Sequence, residues 1–308
     1  MDVLVVNAGS TSLKLHLVRD GEAETVDDFV AADAVGHRVV HGGARFEAPV
    51  LVDAEVECEI ERLAVLAPLQ NRRTLDGLAQ ARTALPGVPQ VAVFDTAFHR
   101  TIPEAAATYA VPARWREEWG IRRFGFHGIN VQWVASQVCV PRLVVCHLGG
   151  GCSVTAVRDG RSVDTTMGFT PLEGVPMATR SGSVDPGALL YLLREGLRDA
   201  AELEDDLEHH SGLAGLSGGG SGDIREASPL ALDVFVHRVA LAVAAMAAAC
   251  GGLDALAFTG GIGEHAIDVR EQIVERVRFL GDFRVEVVPA GEELVIAAET
   301  ERLLRSTR

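Results

Sequence analysis

The sequence predicts an α/β protein built from two duplicated halves, and three observations point to this fold class. Residues 4–21 (LVVNAGSTSLKLHLVRDG) align without a gap with residues 143–160 (LVVCHLGGGCSVTAVRDG). Short apolar runs typical of buried strands alternate with longer segments of helical periodicity. The 308 residues are enough for two domains of ordinary size, each with its own core.

Each copy of the repeat predicts a strand, a loop of small residues, a second strand and a tight turn. The second apolar run of each copy ends at Arg-Asp-Gly, which is typical of a hairpin turn. Glycine and serine at a strand end let backbone N–H groups and hydroxyls approach an anion, as in phosphate-binding loops. Two such loops indicate two halves that face one polyphosphate.

The remaining elements are predicted from periodicity. Buried strands are predicted at residues 34–40, 90–94, 143–146, 255–258 and 285–288. Helices are predicted at residues 75–84, 186–193, 230–250 and 267–279, with Asp185 as the N-cap of the second. The Gly- and Ser-rich residues 211–223 are interpreted as a loop and not as a linker between domains.

A third candidate phosphate loop is the glycine motif FTGGIGE at residues 258–264. It lies between a predicted buried strand and a predicted helix, so its glycines would bring backbone N–H groups and a helix N-terminus close to a ligand. A tight structural turn is the alternative interpretation.

Composition excludes several classes of partner. A formal net charge of -15 argues against a nucleic acid or an anionic membrane. The five cysteines show neither a CxxC nor a metal-binding spacing, which favours a reduced protein without disulfides. No basic segment precedes the first strand, and the Ala-rich run at residues 241–250 is too short to span a bilayer, so we expect a cytoplasmic protein.

The polar residues at predicted strand ends form the inventory of a phosphoryl-transfer site. The single lysine, Lys14, lies in the first repeat, where an ammonium group suits a nucleotide phosphate. Arg38, Asp95, His127 and Arg180 add two guanidiniums, a carboxylate and an imidazole at loop positions. Taken singly, these residues also have structural interpretations. Arg38 could form a surface ion pair, and Asp95 could be a turn or N-cap residue. His127 could be a core histidine, and Lys14 could point to solvent.

Motifs throughout the chain resemble those of the acetate kinase (acetate/propionate kinase) family, within the group of sugar kinases, Hsp70 and actin. They occur in the family's order: NAGSTSLK, HRVVHGG, APLQN, FDTAFH, GFHG, HLGGG, DTTMGFTPLEG, TRSGSVDPG, GSGDIR, FTGGIGE and PAGEELVIA. The resemblance implies reversible transfer of the ATP γ-phosphoryl group to acetate or propionate, giving acyl phosphate and ADP, with Mg²⁺ or alternatively Mn²⁺. It also implies a homodimer.

The resemblance further implies two ribonuclease-H-like domains with an interdomain active-site cleft. Residues 1–102 with 294–308 would form a shortened N-terminal domain for the acyl substrate and phosphate, and residues 103–293 a C-terminal nucleotide-binding domain. The last helix, at residues 293–304, would return to the first domain.

The resemblance assigns roles to individual residues. Asp95, His127 and Arg180 would be catalytic, and Asn7 and Glu292 would hold the metal. The carboxylate substrate would contact Arg38, Val40, Leu69, Phe126 and Pro171. ATP would contact Lys14, His147, Leu148, Gly149, Gly150, Gly151, Asp223, Ile224, Arg225, Gly260, Gly261, Ile262, Gly263 and Glu264.

Several departures from the family pattern bear on this assignment. The chain is shorter than usual for the family, mostly between Lys14 and Arg38. Other residues also stand where the family has different ones: Gln70, Gly150, Ala44, Gly291 and Ile129-Asn130-Val131. None removes a proposed catalytic or metal-site residue, so we expect the chemistry to be retained. The alternatives are a nucleotide-binding regulator of the same fold with weakened catalysis, and a kinase for a longer carboxylate such as butyrate.

Overall fold

The computed structural model describes residues 1–8, 13–66 and 68–306, with only the backbone for residues 68–70. The strands are β1 (Val3–Ala8), β2 (Leu13–Arg19), β3 (Glu22–Val26), β4 (Ala34–Val39), β5 (Val50–Leu51), β6 (Gln90–Phe94), β7 (Arg142–Leu148), β8 (Cys152–Arg158), β9 (Arg161–Thr165), β10 (Ala255–Thr259) and β11 (Arg284–Val287). The α-helices are α1 (Ala54–Leu63), α2 (Pro68–Ala84), α3 (Glu104–Ala107), α4 (Ala113–Glu117), α5 (Gly128–Val138), α6 (Pro186–Arg194), α7 (Ala200–His209), α8 (Gly212–Leu216), α9 (Pro229–Cys250), α10 (Gly260–His265), α11 (Ile267–Val277) and α12 (Glu292–Ser306). Short 3₁₀ helices lie at Ala97–Thr101, Ile224–Glu226 and Arg278–Leu280.

The two sheets share one topology. The first sheet has the strand order β3-β2-β1-β4-β6-β5 and the second, read in the corresponding direction, β9-β8-β7-β10-β11. In both, the first strand of the repeat pairs antiparallel with the next strand and parallel with a later one. This confirms the duplicated α/β fold, to which the first sheet adds the short strand β5.

The two turns that close the repeats have the predicted geometry. Asp20 and Gly21 have φ angles of 49° and 82°, and Asp159 and Gly160 have 51° and 75°. Two consecutive residues with positive φ are typical of the tight turns that match the twist of the flanking strands, and Asp-Gly suits that geometry.

The ungapped alignment of the repeats is correct for the second strand and wrong by one residue for the first. Val3, Val5 and Val18 share one core cluster, and the corresponding cluster of the second sheet contains Leu143, Val145 and Val157. Val18 therefore matches Val157, as aligned, but Val5 matches Val145 and not Val144. The strand pairing shows the same one-residue shift, because Asn7 pairs with Lys14 whereas His147 pairs with Ser153.

Two helices lie between the sheets and join them into one body. Helix α12 packs on β1, β4 and β6 of the first sheet, and it also contacts α5, which packs on β7 of the second. Trp133 of α5 packs against the cores of both sheets. On the outer faces, α2 covers β1 and β4, and α9 covers β7 and β8.

Two of the expectations about individual elements need correction, and the predicted helix cap is confirmed. Strand β11 is mostly exposed because it is the edge of its sheet, so Val285 and Val287 are 45% and 43% exposed instead of buried. The supposed loop at 211–223 contains helix α8, because Leu213 packs into the core. Asp185 does cap α6, accepting a hydrogen bond from the Gly187 N–H.

Helix α9 extends twelve residues before the Ala-rich run at 241–250, so the shortness of that run does not by itself exclude a membrane span. By length and composition alone its 22 residues could cross a membrane. In the structure it is the central helix of the second half, with Phe235, Val236, Val239 and Val243 fully buried.

Candidate active site

A cleft of about 580 Å³ is lined by residues from both halves. The first half contributes the end of β1, the start of β2, β4 and the residue after β6. The second half contributes the end of β7, the glycine loop after it, the loops 167–183 and the N-terminus of α10. The predicted site residues that line it are Asn7, Lys14, Arg38, Val40, Asp95, Phe126, His127, His147, Gly149, Gly150, Gly151, Pro171, Arg180, Gly260, Gly261, Glu264 and Glu292.

The other predicted site residues lie elsewhere. Leu148 is fully buried, and Ile262 packs against the core, beneath the cleft. Gly263 is buried within α10. Asp223 and Arg225 pair with each other at the 3₁₀ helix Ile224–Glu226, outside this cleft, where Ile224 packs against the core of the second half. The Leu69 side chain and the loop at residues 9–12 of the first repeat lie outside the described part of the chain.

Arg38 and Asp95 form an ion pair on the first-sheet side of the cleft. Arg38 Nε and Nη2 donate to Asp95 Oδ2 at 3.1 and 2.7 Å, and Nη1 donates to Asn7 Oδ1 at 3.3 Å. The Asp95 side chain is 1% exposed. Burial raises the pKa of the Asp95 carboxyl, an effect that Arg38 opposes and Glu292 reinforces. The contact therefore holds the Arg38 guanidinium in place while its remaining N–H groups line the cleft.

A backbone contact ties Asp95 to the next catalytic candidate. The Gly128 N–H donates to the Asp95 carbonyl oxygen at 3.1 Å, and a Cβ atom at residue 128 would lie 2.1 Å from that oxygen. Only glycine permits this approach. It places His127, immediately before α5, beside Asp95.

His127 has an unusual backbone and a buried ring. Its φ of 58° lies in the left-handed region, a strained position for a histidine. The ring stacks on His147 with centroids 4.0 Å apart, and Nδ1 lies 3.0 Å from Ser153 Oγ. Burial, with the charges of His147, Arg38 and Arg180 adding to it, lowers the pKa of His127 well below 6.5. The imidazole is therefore neutral near pH 7, and Nε2 faces Gly151.

Arg180 reaches the cleft from the second half. Its Nη1 donates to the Pro171 carbonyl oxygen at 3.1 Å, and its Nε lies 3.5 Å from Glu208 Oε2. A Cβ on Gly151 would lie 3.1 Å from His127 Nε2 and 3.4 Å from an Arg180 Nη. The guanidinium and the imidazole thus converge above the glycine loop.

Two glycine loops face each other at the second-half end of the cleft. The Gly149 N–H donates to the Gly151 carbonyl, and a Cβ on Gly149 would lie 3.7 Å from the Gly261 nitrogen. Gly260 has φ of 78°, and a Cβ there would lie 2.8 Å from the Leu148 carbonyl oxygen. The Gly149 and Gly260 N–H groups donate within the protein, so an anion here would be bound by other N–H groups of the two loops, with the N-terminus of α10 behind them.

Glu264 has a structural contact at the same place. Its Oε1 accepts from the Gly260 and Ala290 N–H groups at 3.1 and 3.0 Å. This carboxylate therefore joins the loop of α10 to the segment that leads into α12 and Glu292.

Sequence reasoning missed several residues that line or support the cleft. Ser153 contacts His127, and Glu208 contacts Arg180. His265 and Ala290 line the cleft itself. Asn130 Oδ1 lies 3.1 Å from His147 Nδ1. Only Ser153 had a signal, because it aligns with Lys14 in the repeat.

Comparison with known proteins gives one consistent picture. The family model described as the acetokinase family matches residues 22–303. An acetate kinase from Halothermothrix orenii is 41% identical over 333 residues, covering 96% of this chain and 84% of that protein. One from Nostoc punctiforme is 45% identical over 285 residues, covering 87% of this chain and 70% of that protein. The first alignment is longer than the chain itself, so this chain lacks residues within the matched region.

Solved structures agree with the sequence relatives. A propionate kinase from Francisella tularensis superimposes with a TM-score of 0.90 at 33% identity, covering 98% of this chain and 99% of that one. An acetate kinase from Porphyromonas gingivalis superimposes with a TM-score of 0.87 at 32% identity, with the same coverage of both chains.

Proposed function

Because this chain belongs to the acetokinase family, we propose that it transfers the γ-phosphoryl group of ATP reversibly to acetate or propionate, giving acyl phosphate and ADP. The observation that carries the proposal is the convergence of Arg38, His127 and Arg180 on one cleft beside two glycine loops. These are the groups that phosphoryl transfer needs, because its catalysis consists mostly of positioning and of stabilising negative charge.

Arg38 would bind the substrate carboxylate. A carboxylate is already a competent nucleophile, so the reaction needs no strong base. Asp95 would act by orienting Arg38, whose guanidinium it contacts at 2.7 Å, and not by removing a proton. Val40, Phe126 and Pro171 would enclose the acyl tail, with Leu69 as a further wall.

Arg180 and His127 would stabilise the transferring group. The Ser153 hydroxyl would donate to Nδ1, so that the neutral His127 ring would carry its proton on Nε2 and donate it in a hydrogen bond to a phosphoryl oxygen. Arg180 adds positive charge beside it. The carboxylate oxygen forms a bond to phosphorus as the bond to the ADP oxygen breaks, so no proton transfer is required.

Oxygen atoms at the first-half end of the cleft fit a divalent metal ion such as Mg²⁺. Asp95 Oδ1 is buried without a hydrogen-bond partner among the described residues, and the Asn7 amide and Glu292 carboxylate line the same cleft. Mg²⁺ is usually bound by one or two carboxylates together with substrate phosphates and water. In the described part of the chain, no group of three or more His, Cys, Asp or Glu could hold a metal. When bound, the metal would neutralise phosphate charge.

The ATP phosphates would bind at the glycine loops 149–151 and 260–264, with His147 beside them. Lys14 would contact them from the first half, where its exposed side chain lines the cleft. The adenosine end would extend towards residues 223–225.

We propose that the halves are the domains 1–102 with 294–308, and 103–293. The packing of α12 on the first sheet supports the discontinuous first domain. Closure of the cleft around ATP would then exclude water from the transferring group. The free state of all five cysteines is consistent with a cytoplasmic location.

A second copy of the chain would cover helix α6. This helix has no buried residue, and Leu190, Tyr191 and Leu193 are 56%, 53% and 41% exposed. Such an apolar face is typical of an interface. Light scattering should give twice the chain mass for the native protein and a lighter species for Leu190→Glu; a native monomer would contradict the dimer.

Trapping of acyl phosphate with hydroxylamine tests the proposed function. The purified protein with ATP and Mg²⁺ should form hydroxamate with acetate or propionate, and Arg180→Ala should form far less. Butyrate as the best substrate would point to the longer-chain kinase. Tight ATP binding without hydroxamate from any acid would contradict the enzyme and favour a nucleotide-binding regulator.

A further inference from the structure

His41 lies just after β4 and uses both ring nitrogens in hydrogen bonds. Its Nδ1 accepts from the Gly43 N–H at 2.9 Å. The proton of the neutral ring is therefore on Nε2, which donates to the Phe169 carbonyl oxygen at 3.2 Å. This bond joins the first half to the loop 168–173 of the second half, across the boundary that forms the cleft.

The same residue contacts or adjoins each described wall of the proposed acyl pocket. Val40 is its chain neighbour, and its ring meets the Phe126 ring edge-on with centroids 5.2 Å apart. Phe169 precedes Pro171 by two residues in the loop that His41 holds. A change in the position of His41 would therefore move Val40, Phe126 and Pro171 relative to one another.

Both ends of this link are held by other contacts. On the first-half side, Asn71 Oδ1 accepts from the His41 N–H and Asn71 Nδ2 donates to the His41 carbonyl oxygen, each at 3.2 Å. On the other side, the Phe169 N–H donates to the Tyr109 hydroxyl at 3.0 Å, and Tyr109 in turn hydrogen-bonds Glu173. Each end of the link is therefore positioned by hydrogen bonds within its own half.

His41 is fully buried, and burial lowers its pKa to about 4. It is neutral near pH 7 and does not line the cleft, so it has no direct electrostatic or chemical role in the reaction.

We propose that His41 is a positioning residue that sets the width of the acyl pocket and thereby the discrimination between short-chain acids. The proposal rests on the proposed carboxylate kinase function. In this proposal, the Nε2 bond fixes the separation between Val40 of the first half and Pro171 of the second half, both of which line the cleft.

Two variants of His41 separate its two bonds. In His41→Asn, the side-chain oxygen can replace Nδ1 as the acceptor from Gly43, but the shorter side chain cannot reach Phe169. In His41→Gln, the longer amide can replace Nε2 as the donor to Phe169. Both variants lose the imidazole ring and each keeps one of the two bonds, so a preference retained only in His41→Gln assigns it to the bond across the cleft. His237→Asn, on the exposed side of α9, is the matched control.

The readout is kcat/KM for acetate, propionate and butyrate, with KM for ATP. In His41→Asn the preference for the best acid over the next longer one should fall about three- to tenfold, the size expected for one hydrogen bond. KM for ATP should change less than about twofold. His41→Gln should recover most of the preference. Equal preferences in both variants, or a matching rise in KM for ATP, would overturn the proposal.

Hydrogen exchange separates this proposal from the proposed function. Residues 168–173 should exchange faster in His41→Asn than in His41→Gln, whether or not the protein is a kinase. A native protein inactive with every acid would refute the function, whereas unchanged exchange in the Asn variant would refute the link.

Discussion

The hairpin β1–β2 and the hairpin β7–β8 are copies of one unit, yet they differ in burial and in the length of chain that leads back to the sheet. Strand β8 is buried along nearly its whole length, whereas β2 is exposed at the end that carries Lys14. The first hairpin returns to its sheet through residues 27–33, and the second through residues 166–254. That long connection carries Pro171 and Arg180. The duplicated unit supplies the frame of the site, and the longer connection adds Pro171 and Arg180 to it.

The two hairpins also differ in register. Four residues, 9–12, separate β1 from β2, and three, 149–151, separate β7 from β8. Asn7 therefore corresponds to His147, and Lys14 to Ser153. The first pair is an amide and a cation, and the second an imidazole and a hydroxyl. The first hairpin thus supplies the groups proposed to contact the metal and phosphate. At the equivalent positions, the second hairpin supplies the two side chains that contact His127.

Acidification should lower the free energy of unfolding through groups in both halves, and we expect this to be the largest of the effects. Burial lowers the pKa of His37 to about 3, and those of His99 and His147 to about 4, from 6.5. Between these values and 6.5 the unfolded chain binds protons that the folded chain does not. The free energy of unfolding should therefore fall as pH falls through this range, by about 1.4 kcal/mol per pH unit for each such histidine.

Urea unfolding at pH 7, 6 and 5 measures this slope. His37→Asn in the first half and His147→Asn in the second should each make it shallower by a similar amount. A free energy of unfolding that does not change between pH 7 and 5 would contradict the burial of neutral histidines.

Removal of Arg180 should give the largest kinetic effect. Arg180→Ala should lower kcat about 10²- to 10³-fold, the range found when one preorganised donor to transition-state charge is lost. KM for acetate should change little, because Arg38 is retained. Arg198→Ala, which removes an exposed arginine paired with Asp206, is the control. A rise in KM for acetate with unchanged kcat would reassign Arg180 to substrate binding.

Removal of Arg38 should show the opposite pattern. Arg38→Ala should raise KM for the carboxylate about 10- to 100-fold, because a charge-assisted contact is lost from a partly buried site. Melting curves must accompany the kinetics, since Asp95 loses its ion-pair partner. An equal defect in ATP binding would contradict the assignment of Arg38 to the carboxylate substrate.

The equivalent positions Lys14 and Ser153 should give the smallest effects, and different ones. Lys14→Met should raise KM for ATP about three- to tenfold, and added salt should reduce the difference because the lysine is exposed. Ser153→Ala should lower kcat several-fold without affecting KM for ATP, through the loss of one hydrogen bond to His127. The same phenotype from both variants would contradict the functional difference between the hairpins.

Much of this architecture could be predicted from local chemistry. The Asp-Gly turns, the alternation of strands and helices and the cap at Asp185 all result from residue preferences, and the structure confirms them. The convergence of both hairpins on one cleft also results from their duplication.

Other features depend on packing that no local pattern records. Strands β1 and β7 are apolar on both faces, so their sequences give no signal of the one-residue shift. Strand β11 alternates charged and apolar residues, and its edge position depends on which strands pair, which its own sequence does not record. Glu208 and Asn130 contact Arg180 and His147 only because distant segments meet.

The packing of α12 on the first sheet has a consequence for synthesis on the ribosome. The face of that sheet formed by Val3, Val5, Val18 and Val93 is covered by Ile296 and its neighbours. At a synthesis rate of about 5 to 20 residues per second, α12 would be made roughly 10 to 60 s after the strands that it covers. The nascent N-terminal half is therefore the segment that chaperones would need to shield, and loss of the codons for α12 would expose it permanently.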